Sequence, residues 1–103
     1  MKSRRVQLEE FLAQDPGDSF SRYALALELE KEGQAEEAVN QLKQVASADP
    51  SYVAAFYHLG RLLVAAGSID EAREVYKRGL VAANEARDQR SRSEIQEAID
   101  SLT

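Results

Sequence analysis

Residues 15–48 read DPGDSFSRYALALELEKEGQAEEAVNQLKQVASA, and residues 49–82 read DPSYVAAFYHLGRLLVAAGSIDEAREVYKRGLVA. A shift of 34 residues aligns the two stretches at their Asp-Pro and glycine turn residues and at their apolar positions. The matched pairs are Asp15-Pro16 with Asp49-Pro50, Gly33 with Gly67, Ala38 with Ala72, Leu25 with Leu59, Leu29 with Leu63, and Leu42 with Tyr76. A tandem period of this length is typical of helix-turn-helix repeats. The sequence therefore predicts two copies of one helical unit.

The first copy predicts two helices joined by a glycine turn. Asp18 is the expected N-cap of a helix that ends near Lys31, where Gly33 supplies a left-handed residue. A second helix is expected over 35–48, and Pro50 prevents its continuation. Apolar residues recur at helical spacing in both helices. They are Leu25, Ala26, Leu29, Ala38, Leu42 and Val45.

The second copy repeats this pattern from Tyr52, and Gly67 ends its first helix. Ser68 and Glu71 have the spacing of a capping box, in which each side chain accepts the other residue's amide. The following helix is expected to continue to about Ala86, because Asn84 stands where a third proline would fall. The apolar stripes are Phe56, Leu59, Gly60 and Leu63 on the first helix, and Ala72, Tyr76 and Leu80 on the second.

The flanking segments predict terminal helices that cover the exposed ends of the repeats. Residues 4–14 carry Leu8 and Phe11 one period before Leu42 and Val45, which indicates an N-terminal half-repeat. A C-terminal helix is expected over 91–102, with Ser91 and Glu94 as a capping box. Its apolar residues follow the spacing of an amphipathic helix; they are Ile95, Ala98, Ile99 and Leu102. The charged segment 84–92 is the expected loop.

Composition excludes several classes of protein. The chain has 103 residues, 44% hydrophobic and 30% charged, which is a globular composition sufficient for one small domain. It contains no cysteine, so disulfides, thiolate metal sites and thiol nucleophiles are excluded. The net charge is −5, with −7 over residues 9–49 and +2 over residues 50–92, so nucleic acid is not an expected partner. No stretch is apolar enough for a signal-peptide core or a membrane span, and we expect a soluble cytoplasmic protein.

The repeated residues resemble the tetratricopeptide repeat (TPR) superfamily, of which the chain looks like a small stand-alone bacterial-type member. The second copy matches the family pattern well, with Leu59-Gly60 followed by Ala72 and Tyr76. The first copy is looser, because Arg22 occupies a position where an aromatic residue is usual. The resemblance implies an all-α fold, a short right-handed α-solenoid. We expect one domain over 1–103, with a half-repeat helix at 4–14, repeats at 19–50 and 53–84, and a capping helix at 91–102.

The resemblance also implies a protein-protein interaction module that takes a peptide or protein segment in a concave groove lined by the first helices. The groove residues would be Phe20, Tyr23, Leu27, Glu30, Ala54, Tyr57, Arg61 and Val64, with His58 at the edge. Tyr23 and Tyr57 are one period apart and are expected side by side. The lysine and asparagine clamp of chaperone-binding members is not expected here, because Tyr23, Leu27 and His58 stand at the corresponding positions.

Other functions have less support in the sequence. His58 is the only histidine, and no further ligands stand at metal-binding spacing, so we expect no catalytic activity, cofactor or metal. The basic residues Arg73, Lys77 and Arg78 are expected on a solvated face, with Glu74 as a partner for Arg78. The alternative function is a self-associating structural unit whose groove holds its own C-terminal helix. A monomer or a weak homodimer is compatible with the sequence, which leaves the partner's identity open.

Overall fold

Six α-helices account for most of residues 1–102, the part of the chain described by the computed structural model. In chain order they are α1 (Arg4–Gln14), α2 (Ser19–Lys31), α3 (Ala35–Ala48), α4 (Val53–Ala65), α5 (Ile69–Glu85) and α6 (Gln89–Asp100). This described part contains no strand. The helices fall into two compact units, Met1–Asp49 with α1 to α3 and a second that begins at Pro50 with α4 to α6.

The first unit is a helical hairpin of α2 and α3 with α1 packed on α2. The predicted apolar stripe is buried on both helices of the hairpin, where Leu42 and Val45 are each 1% exposed. Arg22, which replaces the usual aromatic residue, joins the two helices through its Nη1 to Gln41 Oε1 (2.7 Å). Its Nη2 donates to the Pro16 carbonyl oxygen (3.0 Å). Arg22 thus links the two helices of the hairpin by hydrogen bonds. The equivalent residue of the second repeat, Phe56, is instead buried in a hydrophobic core.

Helix α1 buries a residue that the sequence reading missed. Leu12 is its buried residue, whereas Phe11 remains 48% exposed. Ion pairs supplement this small apolar contact: Arg5 Nε lies 2.9 Å from Glu32 Oε1, and Arg4 Nε lies 3.4 Å from Glu28 Oε1. Because these pairs are partly exposed to solvent, they contribute little to stability. Helix α1 therefore depends on Leu12 more than on the predicted Phe11.

The turns after α2, α4 and α5 share one backbone hydrogen-bond pattern. After α2, Gly33 N donates to Glu30 O and Gln34 N donates to Leu29 O, which is the Schellman arrangement. Gly67 and Ser68 make the same two bonds after α4. Both glycines have positive φ angles, +80° and +83°, as predicted. The turn after α5 places Arg87 at φ 55°, so a side chain occupies a conformation that favours glycine.

Two predicted capping boxes are wrong. The Ser68 side chain makes no capping bond to α5, and its own amide already donates to Leu63 O at 2.9 Å. At α6 the N-cap is Asp88 rather than Ser91: Asp88 Oδ1 accepts from Ser91 N (3.1 Å) and Oδ2 accepts from Ser91 Oγ (2.7 Å). The same carboxylate-serine cap confirms Asp18 at the start of α2.

The segment between α5 and α6 is also shorter than predicted. The expected loop 84–92 is helical except at residues 86–88, and α6 begins two residues before the expected helix 91–102. Without a proline at position 84, α5 runs 17 residues against the 14 of α3. The chain then reverses through the Schellman turn at Arg87 and not through an Asp-Pro turn.

The second unit has a core in which two glycines allow helices to approach closely. Phe56, Leu59 and Tyr76 are at most 2% exposed, and Ile95 of α6 is fully buried. A Cβ atom at Gly60 of α4 would overlap the Tyr76 ring of α5. A Cβ at Gly79 would lie 2.8 Å from Phe56 Cβ and 3.1 Å from Ile95 Cδ1. Gly79 thus marks the point where α4, α5 and α6 meet.

Candidate functional site

Helix α2 supplies the predicted groove residues of the first unit. Phe20 is 68% exposed, one of the most exposed large apolar side chains among residues 1–102. Tyr23, Leu27 and Glu30 are half-buried. These four residues recur at three- and four-residue spacing, which places them along one side of the helix. Between them alternate the buried residues Leu25, Ala26 and Leu29 that face the hairpin core.

Helix α4 supplies the predicted groove residues of the second unit. Tyr57, His58 and Val64 are half-buried, whereas Ala54 and Arg61 are exposed. The Arg61 guanidinium carbon lies 6.0 Å from the centroid of the Tyr57 ring, at the outer limit of a cation-π contact. Tyr23 and Tyr57 belong to different units, and their side-by-side arrangement stays a prediction.

The Tyr57 ring of α4 packs against the Tyr76 ring of α5. The two ring centroids are 6.4 Å apart at an interplanar angle of 38°, and His58 meets Tyr57 edge-on at 5.9 Å. Burial raises the pKa of the Tyr76 hydroxyl above its ordinary value of 10.0, with Tyr57 adding to the increase and Arg61 opposing it. Tyr76 is therefore neutral at physiological pH. This packing gives α4 a fixed aromatic side chain beside a cation.

A cleft of about 210 Å³ opens between α4 and α6 of the second unit. Seven residues line it: Val53, Ala54, Tyr57, His58, Ser91, Glu94 and Ile95. Helix α6 packs mainly on α5 and touches α4 along one edge, so it forms a wall of the cleft. Ala54 and Arg61 stay exposed beside it. Sequence reasoning identified the α4 wall but assigned no binding role to Ser91, Glu94 or Ile95.

The other polar features have structural explanations. His58 Nδ1 lies 3.2 Å from the Ala54 carbonyl oxygen, four residues earlier on the same helix. Arg73 pairs with Asp70 (3.3 Å), and Lys77 pairs with Glu74 (3.6 Å). The predicted Glu74–Arg78 pair does not form; instead, the Arg78 guanidinium carbon lies 5.2 Å from the Phe56 ring centroid. Within the described chain, no three His, Asp or Glu side chains converge in a way that would hold a metal ion.

None of the helices within residues 1–102 combines the length and the apolar character needed to cross a membrane.

Helical hairpins with the same turn, repeated at a fixed step along the sequence, define an all-α helical-repeat protein. A family model described as tetratricopeptide repeat matches residues 29–93. A TPR repeat-containing protein of Pseudomonas aeruginosa is 31% identical over 88 residues, which are 85% of this chain and 84% of that protein. The chain belongs to the tetratricopeptide repeat family.

Solved structures agree with this assignment. The solution structure of a tetratricopeptide repeat domain protein from Salinibacter ruber matches with a TM-score of 0.80 and 37% identity, over 84% of this chain and 88% of that one. The solution structure of a protein from Bordetella parapertussis matches with a TM-score of 0.82 and 29% identity, over 99% of this chain and 89% of that one. The predicted fold class, an all-α solenoid of helical repeats, is confirmed. The TPR fold is a generic protein-interaction module and is typically non-catalytic.

Proposed function

We propose that this chain is an adaptor that binds a peptide or protein segment along α2 and α4, the first helices of its two repeats. The single observation that carries the proposal is the α4 surface. There Tyr57, fixed by Tyr76, lies beside the exposed Arg61 and the cleft that α4 shares with α6. Aromatic side chains and arginine are the residues most often found at the centres of protein interfaces.

Helix α2 supports the same proposal independently. Phe20 exposes most of its side chain, and its burial under a partner would stabilise the complex by about 1.5–3 kcal/mol. Tyr23 and Leu27 continue the apolar surface along the helix. Because Phe20 is mostly exposed, it is not part of the hydrophobic core. Its position therefore favours contact with a partner.

The test is a pair of substitutions, Tyr23→Ala with Tyr57→Ala, followed by affinity capture from the source cell and identification of the retained proteins. We expect the double variant to keep its helical circular dichroism and to lose the partner, because each change removes an aromatic contact worth about 1 kcal/mol or more. Phe11→Ala is the matched control, since Phe11 is an exposed aromatic residue on α1 outside the proposed surface.

Retention of the partner by the double variant would rule out this surface. Because Tyr57 packs on Tyr76, a second variant guards against loss of fold: Phe20→Ser with Arg61→Glu changes only exposed side chains. This variant is expected to lose the partner as well.

A further inference from the structure

The cleft between α4 and α6 is a part of the proposed surface that is enclosed by residues of two helices. Ile95 of α6 is fully buried at its base, and its Cδ1 lies against the helix crossing at Gly79. The Tyr57 ring and Val53 provide further apolar lining. By contrast, a larger depression on the outer side of α6 is lined by five exposed polar residues, with no apolar floor.

The volume of the cleft suits one amino-acid side chain. Pockets that hold whole small-molecule ligands are usually about 300–1,000 Å³, whereas this cleft has about 210 Å³. An occupant that belongs to a longer segment would enter with its side chain while its backbone continues along α4. The cleft thus has the dimensions of an anchor site for one residue of a docked chain.

The polar groups at the cleft accept hydrogen bonds. Glu94 contributes a carboxylate, and Ser91 Oγ already donates its proton to Asp88 Oδ2, so its lone pairs can only accept. An occupant must therefore bring donors together with an aliphatic part that covers the half-buried Val53 and Tyr57.

The charge of the cleft favours an occupant with a positively charged side chain. Glu94 has one ion pair, to Arg90 Nε at 3.6 Å, and both side chains are substantially exposed. An exposed pair of this length contributes little and leaves most of the carboxylate available to a ligand. Glu94 is the only Asp, Glu, Lys or Arg side chain among the residues that line the cleft. An acidic side chain would be repelled, and a purely apolar one would desolvate Glu94 without compensation.

We propose that this cleft binds a lysine or arginine side chain of the docked segment, with the aliphatic stem on Val53 and Tyr57 and the cationic head at Glu94 and Ser91. The inference rests on the proposed function, because it names the residue type that the α4 surface selects.

The probe is a capped pentapeptide with lysine at its centre flanked by alanines, titrated into the ¹⁵N-labelled 103-residue chain and followed by amide chemical shifts. We expect concentration-dependent shifts at Tyr57, Ser91 and Glu94. The peptide with norleucine in place of lysine is expected to bind at least about tenfold more weakly, the factor that corresponds to one charge-assisted hydrogen bond. An arginine peptide should bind like the lysine peptide.

The decisive variant is Glu94→Gln, with Glu97→Gln as the matched control on the same helix but outside the cleft. The first change is expected to weaken lysine-peptide binding about tenfold, and the second to leave it within about twofold. Equal binding of the norleucine and lysine peptides, or equal effects of the two variants, would overturn the proposal.

The two proposals fail in different ways. If Glu94→Gln has no effect while the Tyr23 and Tyr57 double variant loses its partner, the docking surface stands and the cationic anchor is wrong. If the lysine peptide binds in a Glu94-dependent manner while the double variant keeps its partner, the anchor stands, and partner docking along α2 and α4 is wrong.

Discussion

Two N-caps of the same residue type show how a single side chain fixes the start of a helix. Asp18 and Asp88 each accept the amide and the hydroxyl of the serine three residues later. The N-caps of α3, α4 and α5 make no such side-chain bond. The difference predicts which capping residues contribute to stability.

Asp88→Ala is expected to destabilise the protein by about 1 kcal/mol, because two hydrogen bonds to the N-terminal turn of α6 are lost. Ser68→Ala is the control, expected to change stability by less than about 0.5 kcal/mol, since its side chain makes no cap bond. Urea denaturation measures both. Equal losses would show that the Asp88 cap contributes nothing specific.

The Asp88 contribution also has a defined pH range. Its folded-state pKa is lowered below the ordinary 3.8, first by the Ser91 hydroxyl and then by the Ser91 amide. The stabilisation is therefore fully present above 3.8 and is lost as the pH falls through the lower folded-state value. The difference between wild type and Asp88→Ala should accordingly decrease in strong acid.

At the scale of helix pairs, the two repeats place side chains of different volume at equivalent positions of the helix crossing. Gly60 of α4 lies against the ring of Tyr76 on α5. One period earlier, α2 and α3 carry Ala26 and Leu42, both 1% exposed. The larger residue of the second repeat, Tyr76, is thus paired with the smaller residue, Gly60. The repeat fixes the summed volume of the position pair and not the identity of each residue.

Gly60→Ala is expected to destabilise the protein by about 1–3 kcal/mol, although alanine is the better helix former, because the new Cβ would overlap the buried Tyr76 ring. Gly17→Ala is the control, since nothing lies within 4 Å of a Cβ there. In the Tyr76→Leu background, which recreates the Ala26 and Leu42 pair, the cost of Gly60→Ala should fall. An undiminished cost would show that the ring is not its source. Thermal and urea unfolding provide the measurements.

At the scale of the whole molecule, charge and surface composition bear on self-association. The net charge of −5 is spread as −4 over residues 1–49 and −1 over residues 50–103. Like charge on every copy opposes association. The exposed large apolar residues of the described chain are Met1, Phe11, Phe20 and Val81, which belong to the N-terminus and to three different helices.

We predict a sedimentation coefficient that is independent of protein concentration and corresponds to a monomer. A rise towards a dimer at higher concentration would favour the alternative of a self-associating unit. In that case Phe11→Ser and Val81→Ser, both at exposed positions, identify which apolar side chain is buried between copies.

The period of the sequence was sufficient to predict the helices, because each depends on local signals. Gly33 and Gly67 need positive φ, Pro50 cannot continue α3, and Asp18 caps α2, so each boundary follows from the residue at that position. The α6 boundary failed for a physical reason. Asp88 and Ser91 are both good capping residues, and the stable choice depends on the turn at Arg87 that precedes them.

The candidate site also contains residues that were predicted and residues that were missed. Phe20, Tyr57 and Arg61 were predicted as groove residues from the resemblance of the repeat to the TPR family pattern. The α6 wall of the cleft was missed, since nothing local to Ser91 or Glu94 indicates that they approach α4. The amphipathic spacing of α6 was the available signal, but it identified Ile95 only as a core residue.

The sequence by itself determined the class of fold and the surface residues of each first helix, since a tandem period repeats the same local conformations and the same buried stripe. Only the tertiary structure decided which side chains meet. Leu12 is buried in place of Phe11, Arg78 lies over Phe56, and Glu94 lines a cleft with Tyr57. These outcomes depend on how helices pack against one another, and packing is set by side-chain volumes that are far apart in the sequence.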